Sequence, residues 1–292
     1  MAQTARNLAN EPAVDDHLAE ADFAKISILI GKEVGIRLPP TKRLMVEGRL
    51  RRRVRALQMR TFAEYCDYMF RHDGLKKELP FLINVVTTNK TDFFREPEHF
   101  DLMRARMVPE LLERRAGERS PTLKIWSAAS STGAEAYTCA MVLADMVGKT
   151  NAFRFSILGT DISTDVIDHA RRAVYPAEQI VPVPQEMQSK YLMWSRRNAP
   201  RPEVRIVPEM RRLVQFHRLN LMDEKFPFDR DVDIILLRNV LIYFDKIDQA
   251  KVISKLVGHL RPGGYLLLGH SESMIGTSIP VRQVAPAVFQ RT

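Results

Sequence analysis

Apolar residues in the first part of the chain recur every three or four positions, a spacing typical of amphipathic helices. This period predicts four helices, with Pro80 interrupting the last of them. They cover residues 23–34, 41–57, 61–70 and 75–85. We therefore predict a small all-α domain over residues 18–88, preceded by a polar and disordered tail over residues 1–17.

From residue 89 onward the pattern changes. A helix is predicted from Pro97 to about Arg115, and after it short apolar runs alternate with helical segments. This alternation indicates an α/β domain, with a mainly parallel sheet covered by helices on both faces, over residues 89–292. Two apolar segments, 204–207 and 213–217, flank a short turn and predict a β-hairpin. We assign it to an inserted small antiparallel β subdomain at about 178–218.

The beginning of the α/β region contains the pattern most informative about a ligand. A strand that begins at Lys124 leads into a loop of small residues, a helix follows, and the next strand ends on Thr160 and Asp161. Open α/β sheets bind nucleosides with this order of elements, because small side chains let the backbone approach the ligand and the acid can bond ribose hydroxyls. Gly133 is the only glycine of the loop, unlike the pattern of pyrophosphate-binding enzymes. We therefore predict a nucleoside ligand whose tail carries no phosphate.

Polar residues also follow two later strands. Arg238 and Asn239 come after the apolar run 232–237, and residues 269–272 come after the run 265–268. The carboxyl ends of parallel strands meet at one edge of an open α/β sheet, where ligands bind. One such residue could be a helix cap or a turn, but polar residues at four strand ends predict a binding site.

Composition and charge narrow the class of protein. No apolar run approaches the roughly 20 residues of a membrane span, and the only two cysteines, Cys66 and Cys139, have no metal-ligand spacing. We expect a cytoplasmic protein without membrane insertion and without a metal site.

The net charge of +9 favours an acidic partner. The arginine-rich surface of the helix predicted over residues 41–57 could be a solvated face, or it could dock on nucleic acid or on an acidic protein. Its candidate docking residues are Arg49, Arg51, Arg52, Arg53 and Arg55.

Six short segments are similar, in order and spacing, to the motifs of one enzyme family. They are residues 88–97, 126–133, 160–163, 219–221, 237–245 and 262–273. On these segments the chain, from about Phe23 to its last residue, resembles the CheR family of chemotaxis receptor methyltransferases. The resemblance implies a Rossmann-like methyltransferase domain with S-adenosylmethionine as cofactor and S-adenosylhomocysteine as product. It also implies that the substrates are glutamates of methyl-accepting chemotaxis receptors, and that the arginine-rich helix docks on the receptor.

The resemblance implies roles for individual residues. Asp161 would bond the ribose hydroxyls of the cofactor, and Glu135 would pair with the ammonium group of its methionine part. The other cofactor-binding positions are Asn89, Thr91, Arg95, Asn220, Leu221, Leu237 and Arg238. The candidate catalytic residues are Arg95, Arg238 and Tyr243. They would orient the reactants, because a carboxylate is already a nucleophile at neutral pH and needs no general base.

Two features depart from the pattern of the family. Ala134 and Ala136 stand where an acid and a proline are usual, although Glu135 is kept. Some members bind a short peptide at the receptor's C-terminus through a glycine-containing loop of the inserted subdomain. The corresponding residues here, 194–203, contain no glycine, so the sequence does not support tethering by such a peptide.

Two functions from other classes are the alternatives. A nucleic-acid methyltransferase would also be basic and α/β, but amino-methylating members have an Asn/Asp-Pro-Pro-aromatic motif where this chain has Arg238-Asn-Val-Leu. Neither cysteine lies at that edge to attack a pyrimidine, so we expect no nucleic-acid partner. A non-catalytic scaffold would bind S-adenosylmethionine without turnover. The presence of Arg95, Asp161, Arg238 and Tyr243 favours an enzyme.

Overall fold

A computed structural model describes residues 17–150, 152–195, 200–274 and 279–292. The chain divides into two compact units, Met1–Thr88 and Asn89–Thr292. The tail predicted over residues 1–17 lies outside the described residues except for His17, whose ring Nδ1 is 3.1 Å from a carboxylate oxygen of Glu47. Among the helices that the structure describes, none has the length and apolar content needed to span a bilayer.

The described part of the first unit is built from helices, and the four helices predicted from the sequence are confirmed. They are α1 (Glu20–Val34), α2 (Arg43–Ala56), α3 (Phe62–Arg71) and α4 (Leu75–Val86), with a 3₁₀ turn over Pro40–Lys42. Gly35 ends α1 with a φ of 72°, which favours glycine. Thr61 caps α3, since its hydroxyl accepts the backbone N–H of Glu64 at 3.1 Å. The core contains the fully buried Ile26, Ile30, Val46, Leu50, Val54, Tyr65 and Leu82.

The second unit begins with a helical stretch where the sequence predicted one. It consists of α5 (Glu98–Leu102), a π-helical segment (Met103–Met107) and α6 (Val108–Glu113). In the described part of this unit, five more helices lie between or after the strands. They are α7 (Ala134–Thr150), α8 (Thr164–Arg172), α9 (Gln185–Tyr191), α10 (Pro208–Arg211) and α11 (Lys246–His259).

The strands of the second unit form two sheets. They are β1 (Thr122–Ala128), β2 (Arg154–Asp161), β3 (Val174–Pro176), β4 (Leu192–Trp194), β5 (Glu203–Ile206), β6 (Val214–Arg218), β7 (Val232–Leu237), β8 (Leu260–Leu268), β9 (Val281–Ala285) and β10 (Val288–Arg291). The large sheet has seven strands in the order β6-β2-β1-β7-β8-β10-β9. The first five are parallel, and β10 is antiparallel to both of its neighbours. The strand order reverses beside β1, and the carboxyl ends of β1 and β7 therefore flank the crevice in which α/β sheets bind ligands.

Both faces of the large sheet are covered by helices, which confirms the predicted fold class. Alternate residues of its central strands enter two separate apolar clusters because side chains alternate across a strand. One cluster includes Ile125, Ile234 and Leu267, together with much of α7. The other includes Trp126, Ile235 and Leu266, together with the apolar residues of α11.

The predicted hairpin is wrong. β5 pairs antiparallel with β3 and β4 in a small three-stranded sheet, whereas β6 is the edge of the large sheet and runs parallel to β2. Between β5 and β6 the chain forms α10, which is too long for a tight turn. The ring of Phe216 packs so closely against Gly159 and Gly133 that a Cβ at Gly159 would lie 2.5 Å from it. This packing holds β6 on the large sheet, so the inserted sheet covers β3 to β5 and excludes residues 214–218.

Candidate active site

The loop after β1 is held in place by the end of β2. Ala129 and Ser131 have φ values of 58° and 50°, a region that costs non-glycine residues about 1–3 kcal/mol. The backbone N–H of Ser130 donates to the carbonyl of Thr160 at 2.8 Å, and that of Ser131 donates to the Asp161 carboxylate at 2.9 Å. The small residues of this loop therefore form a strained but well-anchored turn at the sheet edge.

Asp161 lies at the end of β2 with only 7% of its surface exposed. Its two carboxylate oxygens accept the backbone N–H groups of Ser131 and Ser163, both at 2.9 Å. Burial raises the pKa of Asp161, and the hydrogen bonds from Ser163, Ser131 and Ile162 oppose that rise without cancelling it. Each oxygen of a carboxylate has two acceptor sites, so Asp161 retains acceptor capacity for a ligand hydroxyl.

Asn220 and Leu221 follow the end of β6, the strand that pairs with β2 and ends opposite Asp161. The backbone N–H of Leu219 donates to the carbonyl of Asp161 at 2.9 Å. The side-chain oxygen of Asn220 accepts the N–H of Met222 at 3.0 Å, and the carbonyl of Leu221 accepts Lys255 Nζ at 2.6 Å. The structure therefore brings these two predicted residues to the same edge as Asp161.

Arg238, at the end of β7, is at the centre of an ion-pair cluster. Its side chain is 2% exposed, and the Phe100 ring lies under the guanidinium at 5.4 Å from the ring centroid. The guanidinium donates to Glu96 at 3.0 Å, to Glu135 at 3.2 Å and to the backbone carbonyl of Arg95. One arginine is thus shared between two carboxylates and a carbonyl.

The two carboxylates of this cluster are each held by a further polar group. Glu135, in the first turn of α7, accepts the hydroxyl of Ser127 at 2.7 Å. Glu96 accepts the side-chain amide of Asn239 at 3.2 Å. Burial would raise the pKa of Glu96, but the charge and hydrogen bonds of Arg238 overcome this effect and hold it below its ordinary value. Glu96 is therefore ionised beside the Arg238 cation near neutral pH.

A buried carboxylate fixes the loop that follows β7. Glu272 is 8% exposed and accepts four backbone N–H groups. They belong to Gly269 at 2.7 Å, Asn239 at 2.9 Å, Val240 at 2.7 Å and Leu241 at 2.7 Å. Burial raises the pKa of Glu272 in spite of these bonds. The predicted site residues do not include Glu96 or Glu272, although each is an acid inside one of the six motif segments.

The other predicted site residues are less closely connected. The backbone carbonyl of Asn89 accepts the hydroxyl of Ser131 at 2.8 Å, and a half-buried Arg95 makes one long hydrogen bond to the carbonyl of Lys90. Leu237 is fully buried within β7, and Tyr243 is half-buried at the end of the 3₁₀ turn Leu241–Tyr243. Thr91 is half-buried and makes no side-chain hydrogen bond within the described residues. Hydrogen bonds thus link Asn89 to the Asp161 loop, and Arg95 and Glu135 to Arg238.

Three residues near Arg238 could offer ligand atoms to a metal ion. Donor atoms of Glu96, His99 and His270 all lie within 4.8 Å of one another. Burial and the Arg238 charge lower the pKa of His99 to about 4, so its ring is neutral. The Glu96 carboxylate, however, is already bound by Arg238 and Asn239, and a dication would lie beside a buried guanidinium. We assign no metal to this group.

The arginines of α2 lie in the helical unit and differ in their contacts. Arg53 donates to both carboxylate oxygens of Glu78, at 2.8 and 2.7 Å, and lies over the Phe81 ring at 3.5 Å. Glu78 itself is 1% exposed, so this pair belongs to the packing of the unit. Arg51 donates to Glu47 one turn earlier, at 2.9 Å.

The other three predicted docking residues of α2 differ in how many contacts they make. Arg49 donates to the carbonyls of Val85 and Thr87 at the end of α4, at 2.9 and 2.8 Å. Arg55 is half-buried, and its Nε has no partner among the described residues. Arg52 is exposed and has neither a side-chain hydrogen bond nor an ion pair within the part of the chain described. Of the five predicted docking residues, Arg52 is therefore the one most available to a partner.

Comparison with known proteins gives matches for both units. The family model for the SAM binding domain of the CheR methyltransferase matches residues 89–288, and that for its all-alpha domain matches residues 21–87. The chain is 38% identical to a chemotaxis protein methyltransferase of Escherichia coli, over 88% of this chain and 85% of that protein. It is 36% identical to chemotaxis protein methyltransferase 2 of Pseudomonas aeruginosa, over 94% of each chain. A chemotaxis protein methyltransferase of Borreliella burgdorferi is 33% identical, over 94% of this chain and 95% of that protein.

Proposed function

The chain belongs to the CheR methyltransferase family, and from this premise we propose that it methylates glutamate side chains of methyl-accepting chemotaxis receptors. The methyl group comes from S-adenosylmethionine, and the products are a glutamate methyl ester and S-adenosylhomocysteine. The reaction serves sensory adaptation in chemotaxis. The observation that carries the proposal is that the carboxyl edge of the large sheet holds both Asp161, at the end of β2, and the pair of Glu135 with Arg238, at the end of β7.

These residues fit the chemistry of the cofactor. S-adenosylmethionine has ribose hydroxyls at one end and an ammonium group at the other, and it has no phosphate. Asp161 accepts the hydroxyls, and Glu135 accepts the ammonium. Arg238 carries one positive charge and contacts two carboxylates, so the formal charges of the three side chains sum to one net negative charge. This net charge suits a cationic ligand. The strained loop after β1 lies against the nucleoside without a phosphate cradle.

When bound, the cofactor supplies an activated methyl group, so the protein needs mainly to position the reactants. A glutamate carboxylate is ionised near neutral pH and attacks without a general base. Orientation alone can contribute up to about 7–11 kcal/mol to such a reaction. The absence of a catalytic triad from the six motif segments is consistent with this chemistry.

The contacts of Arg238 favour Arg95 over Arg238 as the residue that orients the substrate. The Arg238 side chain is 2% exposed and already bound to Glu96 and Glu135. Arg95 is half-buried, and within the described residues its side chain makes one hydrogen bond, which is 3.4 Å long. We propose that Arg95 contacts the glutamate carboxylate, with Tyr243 as a hydrogen-bonding neighbour, while Arg238 organises the cofactor end. Arg95 would orient its carboxylate rather than activate it, because an arginine partly neutralises its partner.

We propose that α2 docks on the acidic methylation region of the receptor. The net charge of +9 favours association with an acidic partner. Arg52 and Arg55 are the candidates for direct contact, since Arg49 and Arg53 are engaged within the helical unit. We also propose a cytoplasmic location, because both cysteines are free and buried thiols, as suits a reducing compartment.

The proposal is tested by incubating the protein with radiolabelled S-adenosylmethionine, chemoreceptors and, in a separate arm, nucleic acid. Label should enter receptor glutamates as an ester that base releases as methanol. A receptor whose methylated glutamates are changed to alanine is the matched control and should stay unlabelled. Label on nucleic acid alone would overturn the receptor assignment. Cofactor binding without transfer to any receptor would instead support the non-catalytic scaffold.

A further inference from the structure

Glu96 has a more specific position than its place in a loop would suggest. Its φ is 54° and that of Phe94 is 53°, conformations that non-glycine residues keep only where their surroundings hold them. The backbone N–H of Phe94 donates to the Thr138 hydroxyl on α7 at 3.2 Å, and the Phe93 side chain next to it is 1% exposed. The loop before α5 is thus anchored in a strained conformation, and Glu96 lies at its end.

From this position Glu96 contacts the guanidinium of Arg238 twice. Its Oε2 accepts Nε of Arg238 at 3.3 Å and Nη2 at 3.0 Å. The Nη1 group of the same guanidinium donates to Glu135 at 3.2 Å. Because a guanidinium is planar and rigid, two bonds on one side set the direction of the bond on the other side. The orientation of Glu135 therefore depends on Glu96 through Arg238.

We propose that Glu96 is a positioning residue for the cofactor. It fixes Arg238 so that Arg238 holds Glu135 toward the cofactor ammonium, and it supplies the second negative charge of the cluster. This inference rests on the proposed function. It differs from that function in assigning a role to a side chain that need not touch cofactor or substrate.

The first test compares Glu96→Gln with Glu98→Gln, a matched control. Glu98 is two residues further on, is exposed and belongs to the first turn of α5. Calorimetry with S-adenosylhomocysteine should show binding about tenfold or more weaker for Glu96→Gln, the scale of one lost hydrogen bond to a charged group. Glu98→Gln should bind within twofold of the wild type. Glu96→Asp keeps the charge and should recover part of the loss.

Steady-state kinetics separate positioning from substrate contact. For Glu96→Gln the KM for S-adenosylmethionine should rise, while the KM for the receptor stays within about twofold of the wild type. An increase confined to the receptor KM would overturn the proposal, because Glu96 would then act on the substrate. Thermal unfolding of each variant identifies any loss that comes from misfolding.

A double-mutant cycle tests whether Glu96 acts through Arg238. In an Arg238→Gln background, Glu96→Gln should weaken binding by less than threefold, because the residue it positions is already lost. An equal loss in both backgrounds overturns the proposal. Should Arg238→Gln not fold, Glu135→Gln replaces it with the same expectation. A wild-type protein that binds no cofactor would refute the proposed function itself, whereas normal binding by Glu96→Gln refutes only this inference.

Discussion

Each unit contains a buried arginine–carboxylate cluster, and the two clusters are buried in opposite ways. In the helical unit the Glu78 carboxylate is 1% exposed, and its partner Arg53 is 23% exposed. In the α/β unit Arg238 is the buried member at 2%, and its partners Glu96 and Glu135 are 14% and 13% exposed. In the first cluster the carboxylate is more deeply buried than the arginine. In the second cluster the arginine is more deeply buried than its two carboxylates.

The difference separates a packing role from a binding role. The hydrogen bonds to Glu78 raise the pKa of Arg53, and the pair is completed by the Tyr65 hydroxyl at 3.2 Å and the Phe81 ring. Every charge there has its partner within the unit. Arg238 is instead outnumbered by its carboxylates, so a cationic ligand can still gain from the cluster. We expect changes in the first cluster to affect stability and changes in the second to affect cofactor affinity.

The largest expected effect is on the packing cluster. Arg53→Ala leaves a buried carboxylate without its cation, which typically costs about 3–5 kcal/mol of the free energy of unfolding. Urea unfolding should show this loss. Arg52→Ala, one residue earlier and exposed, should change stability by less than about 0.5 kcal/mol. Equal effects of the two substitutions would contradict the packing role of Arg53.

Some parts of the fold could be predicted from the sequence and others could not. The helices of the first unit and the central strands could be predicted from the spacing of apolar residues, because the apolar residues that set this spacing are the ones that the fold buries. The position of β6 does not, because segments 204–207 and 213–217 alternate equally well for a hairpin and for two separate sheets. What decides it is the packing of Phe216 against Gly159 across 57 residues of chain, and a local pattern cannot reveal such a contact.

The same limit applies to the site. Asp161 and Arg238 are predictable because each directly follows an apolar strand. The hydrogen bonds of Glu96 to Arg238 join residues 142 positions apart, and the motif segment that contains Glu96 does not reveal this partner. For α2 the sequence showed the arginines but not their partners. Glu78, one helix turn before Leu82, lies in another helix and removes Arg53 from the docking surface.

In the binding cluster, Glu135→Gln should weaken cofactor binding without a matching loss of stability. The amide cannot form an ion pair with an ammonium group, so we expect S-adenosylhomocysteine to bind about 10- to 100-fold more weakly, roughly 1.5–3 kcal/mol. Calorimetry measures the affinity and urea unfolding the stability. Glu178→Gln, an exposed acid in the 3₁₀ turn Ala177–Ile180, is the control. Unchanged affinity would remove Glu135 from the proposed cofactor site.

A smaller effect is expected from pH. Burial raises the pKa of Asp161 above the ordinary value of 3.8, and the ionised carboxylate is the better acceptor for a ribose hydroxyl. Affinity should therefore be constant above that raised pKa and fall as the pH decreases through it, by up to about tenfold per pH unit. Binding titrations at several pH values measure the slope. In Asp161→Asn, binding should be weaker and this slope should vanish, and a slope that persists would assign it to another group.

The smallest effect is expected at the docking surface, where Arg52 is exposed and unpaired among the described residues. Rim charges mainly change association rates, so Arg52→Glu should lower receptor methylation a few-fold, by about 1 kcal/mol or less, and the difference should shrink at high salt. Cofactor affinity should not change, because Arg52 belongs to α2 of the helical unit, whereas the proposed cofactor-binding residues belong to the α/β unit. Arg154→Glu, an equally exposed arginine at the start of β2, is the control and should leave both quantities unchanged. If the two reversals lower methylation equally, overall charge and not α2 guides the receptor.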